Sequence, residues 1–337
     1  MKRALVTGAN GFIGAHVVRA VLDAGAEVRA LVRPNSDQRN LDGLPVELVH
    51  GDLTDSQSLV SALDGIDTLF NVAARYDLSR RARSDAYRVN VDGTRDLMHA
   101  ALRAQVDRVV HTSSVAAVGP PRDPSHPADE IQWAEVEHAP GPYEETKIIS
   151  ERLVHELVQS ESLPAVCVLP TAPIGPLDLK PTPTGRLIRD AALGQMPAHI
   201  RSAGLNIVHV TDVAMGHLLA AEQIQRGHVG ERFLLGHAEG NLTLREIITR
   251  AAAAAGVDPP QLALPLGVAY LAAVIDEYLV SELRRQTPRA TIAGVRLAAH
   301  RQWFDPGKAI RELGLPQTPL EQTFEDAAAW FLADLAR

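Results

Sequence analysis

Short apolar runs alternate with amphipathic helical patterns through the first half of the chain. Arg3–Thr7 is an apolar run, and Phe12, Ile13, Val17, Val18, Val21 and Leu22 then recur at helical spacing. Further strands are predicted at Glu27–Val32, Val46–His50, Asp67–Val72, Arg108–Thr112 and Ala165–Leu169. Helical patterns fall at Ser56–Leu63, with Ser56 as its cap, at Asp85–Gln105 and at Pro142–Ser160. Apolar strands separated by helices predict an α/β fold, a doubly wound parallel sheet covered on both faces. Ligands of such sheets sit at the carboxyl ends of the strands.

The rhythm breaks after Leu169. Pro170, Pro173, Pro176, Pro181 and Pro183 punctuate a stiff loop. Asn206–Val210 reads as a strand returning to the main sheet, followed by a helix at Thr211–Arg226 and a strand at Arg232–Leu235. The predicted division is a ligand-binding domain over residues 1–170 with a return segment at about 206–235. Residues 171–205 and 236–337 form a smaller, mainly helical lobe over the strand ends. The apolar stretch Pro265–Val280, interrupted by Asp276 and Glu277, is too short to span a membrane and reads as a core or interfacial helix.

The first strand runs straight into Gly8, Gly11 and Gly14 at three-residue spacing, and the helix follows. Strand, glycine turn and helix in that order place backbone N–H groups and a helix N-terminus against a pyrophosphate. Gly8 allows the tight turn, Gly11 the approach of backbone to phosphate, and Gly14 close packing of helix on strand. The formal charge of −8, with acids and bases well mixed, excludes a nucleic-acid surface. The single cysteine, Cys167, lies in an apolar strand and permits no intrachain disulfide. With no signal-peptide pattern ahead of the first strand, the expected location is the cytoplasm. The histidines show no metal-ligand spacing, so no catalytic metal is expected.

Tyr143 and Lys147 stand four apart near a helix start, which puts them on one face. An ammonium beside a phenol favours the phenolate, so the pair makes an acid/base for an alcohol or carbonyl. A surface pair sharing a helix face is the plain alternative. Thr112, Ser113 and Ser114 close the fifth strand on the ligand side, where hydroxyls either hydrogen-bond a substrate or cap the strand end. A serine hydrolase is set aside, because no Gly-x-Ser-x-Gly elbow is present.

Gly8-Ala-Asn-Gly11-Phe-Ile-Gly14, Thr112-Ser-Ser-Val-Ala-Ala-Val-Gly119 and Tyr143-Glu-Glu-Thr-Lys147 together resemble the extended short-chain dehydrogenase/reductase family over nearly the whole chain. Asp52 in Gly-Asp-Leu, Ala73-Ala74 and Val-Asn90-Val-Asp-Gly-Thr match its pattern as well. Leu169–Pro176, Lys180–Gly185 and Leu205–Val210 look most like its hopanoid-associated sugar epimerase branch, beside the dihydroflavonol reductases and 3β-hydroxysteroid dehydrogenases. The resemblance implies a Rossmann fold with Ser114 orienting the substrate oxygen and Tyr143 as acid/base. Lys147 then binds the nicotinamide ribose and lowers the tyrosine pKa. Asn90 either holds a relay water or serves as a structural hydrogen bond. The cofactor-lining set is Gly8, Asn10, Gly11, Phe12, Ile13, Gly14, Asp52, Leu53, Ala73, Ala74, Thr112, Ser113, Pro170 and Thr171.

The second strand ends at Arg33, where NAD-preferring enzymes place a carboxylate. A guanidinium with Arg39 nearby favours the 2′-phosphate of NADP(H), with NAD(H) possible if Arg33 only stacks on adenine. The expected reaction is hydride transfer at a secondary alcohol or ketone. The alternatives are a nucleotide-sugar epimerase with retained cofactor and a non-catalytic NADP(H) sensor. Ser114-Val-Ala-Ala lacks the acids of the 4,6-dehydratase branch. The substrate is a small molecule, and its walls are expected at Arg75, Tyr76, Val115, Pro140–Pro142, Pro173 and Lys180–Arg186. Arg186, Lys180 or Arg296 would hold an anionic group or be merely solvated, and His209 would serve structure before catalysis. The family resemblance also implies a homodimer through the helices at Asp85–Gln105 and Pro142–Ser160.

Overall fold

The computed structural model describes residues 1–76, 83–123, 125–196, 198–201, 203–260, 262–276 and 301–335. The first half runs β1 (Arg3–Thr7), α1 (Phe12–Asp23), β2 (Glu27–Val32), β3 (Glu47–His50), α2 (Ser56–Leu63) and β4 (Thr68–Asn71). It continues with α3 (Arg83–Tyr87), α4 (Gly93–Arg103), β5 (Arg108–Thr112), α5 (Pro142–Glu161) and β6 (Ala165–Pro170). Then follow β7 (Ala172–Ile174), α6 (Pro183–Ala192), β8 (His199–Ile200), β9 (Gly204–His209), α7 (Val210–Gln225) and β10 (Arg232–Leu235). The described remainder is β11 (Asn241–Thr243), α8 (Leu244–Ala254), β12 (Ala263–Leu264), α9 (Leu266–Ile275), β13 (Arg301–Gln302) and α10 (Leu320–Leu335).

Seven parallel strands form the main sheet in the order β3-β2-β1-β4-β5-β6-β10. The chain leaves β3 and crosses β1 and β2 to enter β4, so the strand order reverses between β1 and β4. That reversal is where doubly wound sheets open a ligand crevice. Val6, Ala30, Val110 and Phe233 pack under α1 and α7 on one face. Leu5, Leu69, Val109 and Cys167 pack under α2, α4 and α5 on the other. These strands are apolar on both faces because both are covered. In the second lobe, Ile188 of α6, Ile247 and Ala251 of α8, and Phe324 and Phe331 of α10 surround Ile174 and Ile207.

Four expectations change. Asn206–Val210 does not rejoin the main sheet. As β9 it is flanked by β11 and β13 and pairs with β7, because the chain steps out of the sheet after Pro170. The strand that returns is β10, beside β6. The cap of α2 is Asp55, not Ser56: its carboxylate accepts the N–H groups of Gln57 and Ser58. Asp85–Gln105 is not one regular helix, since a π-helical turn at Arg88–Asp92 separates α3 from α4 and re-aims the side chains around it. Finally, α9 lies on the surface, burying Ala269 and Ala273 and exposing Val268 and Leu271. Residues 277–280 of the stretch Pro265–Val280, and Arg296, lie outside the described residues.

Candidate active site

The strand reversal carries the glycine turn. Gly8 has φ of +63°, and a Cβ there would sit 2.9 Å from Ala73 Cα at the end of β4. A Cβ on Gly14 would fall 2.1 Å from the Gly8 carbonyl oxygen. The turn is therefore packed backbone to backbone on both sides. Gly11 is the N-cap of α1 and brings no side-chain cap, so the first N–H groups of α1 face outward without a side-chain acceptor. This cradle fits a dinucleotide pyrophosphate.

Polar groups that the sequence did not flag hold the turn in place. Thr7 donates from Oγ1 to Asn71 Oδ1 at 2.9 Å and accepts the N–H groups of Val72 and Ala73. Asn71 donates to His111 Nδ1 at 3.1 Å. Burial keeps His111 neutral, pushed well below the usual imidazole range. From the second lobe, the loop after β7 clamps the turn. Asn40 donates to the carbonyls of Asn10 and Leu177, and His16 Nε2 donates to the Pro176 carbonyl at 3.0 Å. Asn10 itself donates to the Asp37 carbonyl.

Arg33 is exposed at the carboxyl end of β2, in a turn where Asn35 has φ of 60°. Arg39 is already engaged by the Asp37 carboxylate at 2.7 Å. Asp52 accepts the N–H and hydroxyl of Thr54. Leu53 is buried against Gly93 at the start of α4, so its side chain belongs to the core.

Across the crevice, α5 starts at Pro142 and places Tyr143 and Lys147 one turn apart. Lys147 is buried, and Nζ donates to the Thr112 carbonyl at 2.7 Å. Burial pulls its ammonium down to about 8, with the Glu151 carboxylate opposing. Tyr143 has the Ser114 hydroxyl in hydrogen-bonding range. Burial lifts the phenol above its ordinary value, Ser114 pulls it down and Glu144 pushes it up. The Lys147 ammonium is anchored on the strand-end carbonyl of Thr112. Ser114 is held in place as the cap of a single 3₁₀ turn, accepting the Ala116 N–H.

The other two hydroxyls of that strand end point away. Thr112 donates to His217 Nε2 under α7, the other ring nitrogen of His217 being bonded to the Val213 carbonyl. Ser113 donates to the buried Glu151 carboxylate, not toward a cofactor. Glu151 also pairs with Arg232 of β10 at 2.6 Å. Arg232 in turn reaches the carbonyls of Glu130 and Gln132 and lies 3.8 Å over the Trp133 ring. This buried network ties the loop at 130–133 to the floor of the site. Its central pair, Glu151 and Arg232, is 81 residues apart in the chain and left no sequence signal.

Asn90 sits in the π-helical turn. It accepts from the Arg75 N–H at 2.7 Å, and both its amide hydrogens are used, on the Arg75 carbonyl and Thr146 Oγ1. It fixes the loop after β4 and has no hydrogen left for a relay water. That loop presents Ala73, Ala74 and Tyr76, whose ring meets Tyr143 edge-on at 4.3 Å. Arg75 turns toward Asp85 at 3.7 Å. Arg186 is exposed on α6 and its charge acts on Tyr76 and on buried Asp178. Val115 and Pro173 are half-buried on the 3₁₀ turn and on β7. Pro170 closes β6, and Thr171 spends its hydroxyl on Asn206 and the Leu235 carbonyl. His209 caps α7 by accepting the Thr211 N–H, a structural role.

Glu144 is the least settled carboxyl of the site. Burial pushes it up to about 7, its own N–H opposing and Glu145 adding. A folded pKa above the unfolded value of roughly 4.3 means the folded state holds the proton more tightly. Stability therefore falls as pH rises from about 4 through 7. Glu144→Gln should leave the urea midpoint unchanged at about pH 3.5, below the unfolded pKa, and raise stability by about 1–3 kcal/mol at pH 8.

A parallel-sheet crevice with a glycine cradle on one side and a Tyr–Lys–Ser group on the other defines a nicotinamide-dinucleotide enzyme. The chain belongs to the NAD-dependent epimerase/dehydratase family, whose model matches residues 4–236. It is 41% identical to a putative dihydroflavonol 4-reductase of Synechocystis sp., covering 97% of this chain and 93% of that protein. It is 39% identical to sterol demethylase protein B of Methylococcus capsulatus, covering 97% of each. The solved structure of gox2253 matches at 40% identity with a TM-score of 0.85 over 99% of both chains. Thermus thermophilus UDP-glucose 4-epimerase with NAD matches at 21% identity, with a TM-score of 0.76 over 98% of this chain and 99% of that one, and shows the fold alone.

Proposed function

We propose that this protein is an NADP(H)-preferring reductase/dehydrogenase acting on a ketone or secondary alcohol. The observation that carries the reading is the meeting of Tyr143, Ser114 and Lys147 at the end of β5, across from the Gly8–Ala73 crevice. The relatives named above for dihydroflavonol reduction and sterol chemistry support it, as does 26% identity to a 3-beta-hydroxysteroid dehydrogenase of Mycolicibacterium neoaurum.

The bound nicotinamide supplies or accepts the hydride. In the reductive direction Ser114 donates a hydrogen bond to the carbonyl oxygen and Tyr143 gives it a proton, regaining one from solvent. Lys147, fixed on the Thr112 carbonyl, offers its remaining hydrogens to the ribose. The first turn of α1 and Gly11 hold the pyrophosphate. Tyr76, Val115, Pro173 and Arg186 line the substrate side. The protein works as a homodimer through α3–α4 and α5, in the cytoplasm.

Arg33 carries the cofactor preference, because Arg39 is committed to Asp37. A charge-assisted contact to phosphate contributes about 1.5–3 kcal/mol. Arg33→Ala should weaken NADPH binding roughly 10- to 100-fold and leave NADH nearly unchanged, read by nucleotide fluorescence titration. Equal losses for the two nucleotides would refute the preference.

A further inference from the structure

The loop after β2 sets a carboxylate between its two arginines. Arg33 follows the strand and has no ion-pair partner among the described residues. Ser36 closes the turn after it, donating its N–H and its hydroxyl to the Arg33 carbonyl at 3.1 and 2.7 Å. The chain then comes back onto the glycine turn. Asn10 donates its amide to the Asp37 carbonyl at 2.7 Å, and Asn40 donates to the Asn10 carbonyl at 3.2 Å. Asp37 and Arg39 thus stand beside the turn that meets the pyrophosphate, at the strand end that takes the adenine ribose. Asp37 grips Arg39 at several points. Arg39 donates from Nε to both carboxylate oxygens at 3.1 Å, from Nη2 to Oδ2 at 2.7 Å and from its backbone N–H to Oδ1 at 3.1 Å. The Arg39 side chain is nonetheless 63% exposed. Lys180 from the loop before α6 adds its charge to Asp37, and Asp42 and Asp334 add theirs to Arg39.

We propose that Asp37 is a specificity-determining residue: it holds Arg39 away from the 2′-phosphate of NADP(H) and so limits the preference that Arg33 gives. This rests on the NADP(H) reading of Arg33 given above. Asp37 opposes the phosphate in two ways. Its own charge repels an arriving anion, and it occupies the guanidinium fork that otherwise pairs with phosphate. Specificity is a difference of affinities, and a repulsive group sets it as well as an attractive one. An exposed ion pair is a weak one, so the phosphate draws Arg39 off Asp37 at a loss of affinity. NAD(H) carries a hydroxyl at that position, which leaves the Asp37–Arg39 pair intact. The outcome is a chain that prefers NADP(H) and still accepts NAD(H).

The test is isothermal titration with 2′,5′-ADP and 5′-AMP, which differ only in the 2′-phosphate, repeated with NADPH and NADH. Asp37→Asn keeps an oxygen for the Arg39 N–H, so the 3₁₀ turn at Arg39–Leu41 retains its start. Urea denaturation checks folding, and Asp37→Ser serves as a second neutral variant. Asp37→Asn should bind 2′,5′-ADP about tenfold more tightly and 5′-AMP within about twofold of wild type. In an Arg39→Ala background the same substitution should gain about threefold or less, because only the repulsion is then relieved. An unchanged ratio of the two nucleotides in both neutral variants would overturn the proposal, and so would an equal gain with and without Arg39. Wild type favouring NADH over NADPH would instead overturn the NADP(H) reading, and the change in ratio on Asp37→Asn would still decide the role of Asp37.

Discussion

Tyr143→Phe is expected to lower NADPH-dependent turnover of a carbonyl substrate about a thousandfold, while NADPH affinity stays within about threefold of wild type. Removing a positioned general acid typically costs 10²–10⁴ in rate, which corresponds to roughly 3–5 kcal/mol in the transition state. The phenol is the only group in the described crevice with both the Ser114 hydroxyl beside it and Lys147 one turn away on the same helix. The ring remains in the variant, so its edge-on contact with Tyr76 is retained. Steady-state kinetics and fluorescence titration on the same preparation separate chemistry from binding.

Gly14→Ala is expected to act on fold and cofactor together. The added methyl would lie 2.1 Å from the Gly8 carbonyl oxygen and 2.8 Å from its carbon, and both neighbours are backbone. No rotamer relieves such an overlap, so α1 must move off β1 or the turn must open. Overpacking of this kind costs about 1–3 kcal/mol or more. Because the displaced turn is the one that meets the pyrophosphate, NADPH binding should weaken at least tenfold as well. Urea denaturation and nucleotide titration read the two effects. Full stability with unaltered binding would mean that the glycine turn is not the cradle.

The part of this architecture that the sequence made legible is local. The parallel strands through Ala165–Pro170 were readable as apolar runs, and Gly8, Gly11 and Gly14 as a turn, because neighbouring residues determine both. Tyr143 and Lys147 were readable because helical spacing alone puts them on one face. What stayed hidden depends on distant partners. β9 has the pattern of a main-sheet strand, yet pairs with β7, β11 and β13, and nothing within Gly204–His209 says so. Ser113 looks like a second site hydroxyl until Glu151 and Arg232 are seen to claim it from behind. Asn90 carries a plausible relay amide, but the π-helical turn aims it at Arg75 and Thr146. The clamps from His16 and Asn40 to Pro176 and Leu177 join residues 160 and 137 apart.

The central claim is that Tyr143 and its neighbours serve a net exchange of hydride between NADP(H) and a ketone or alcohol. The direct measurement uses NADPH deuterated at the transferred position, with dihydroflavonol, 3-ketosteroid and nucleotide-sugar substrates followed by mass spectrometry. The account predicts one deuterium on the carbinol carbon of a reduced dihydroflavonol or steroid, with NADP⁺ released in equal amount and the reaction lost in Tyr143→Phe. Inversion of a nucleotide sugar without net cofactor oxidation, or no label transfer to any ketone while NADPH binds, would contradict it.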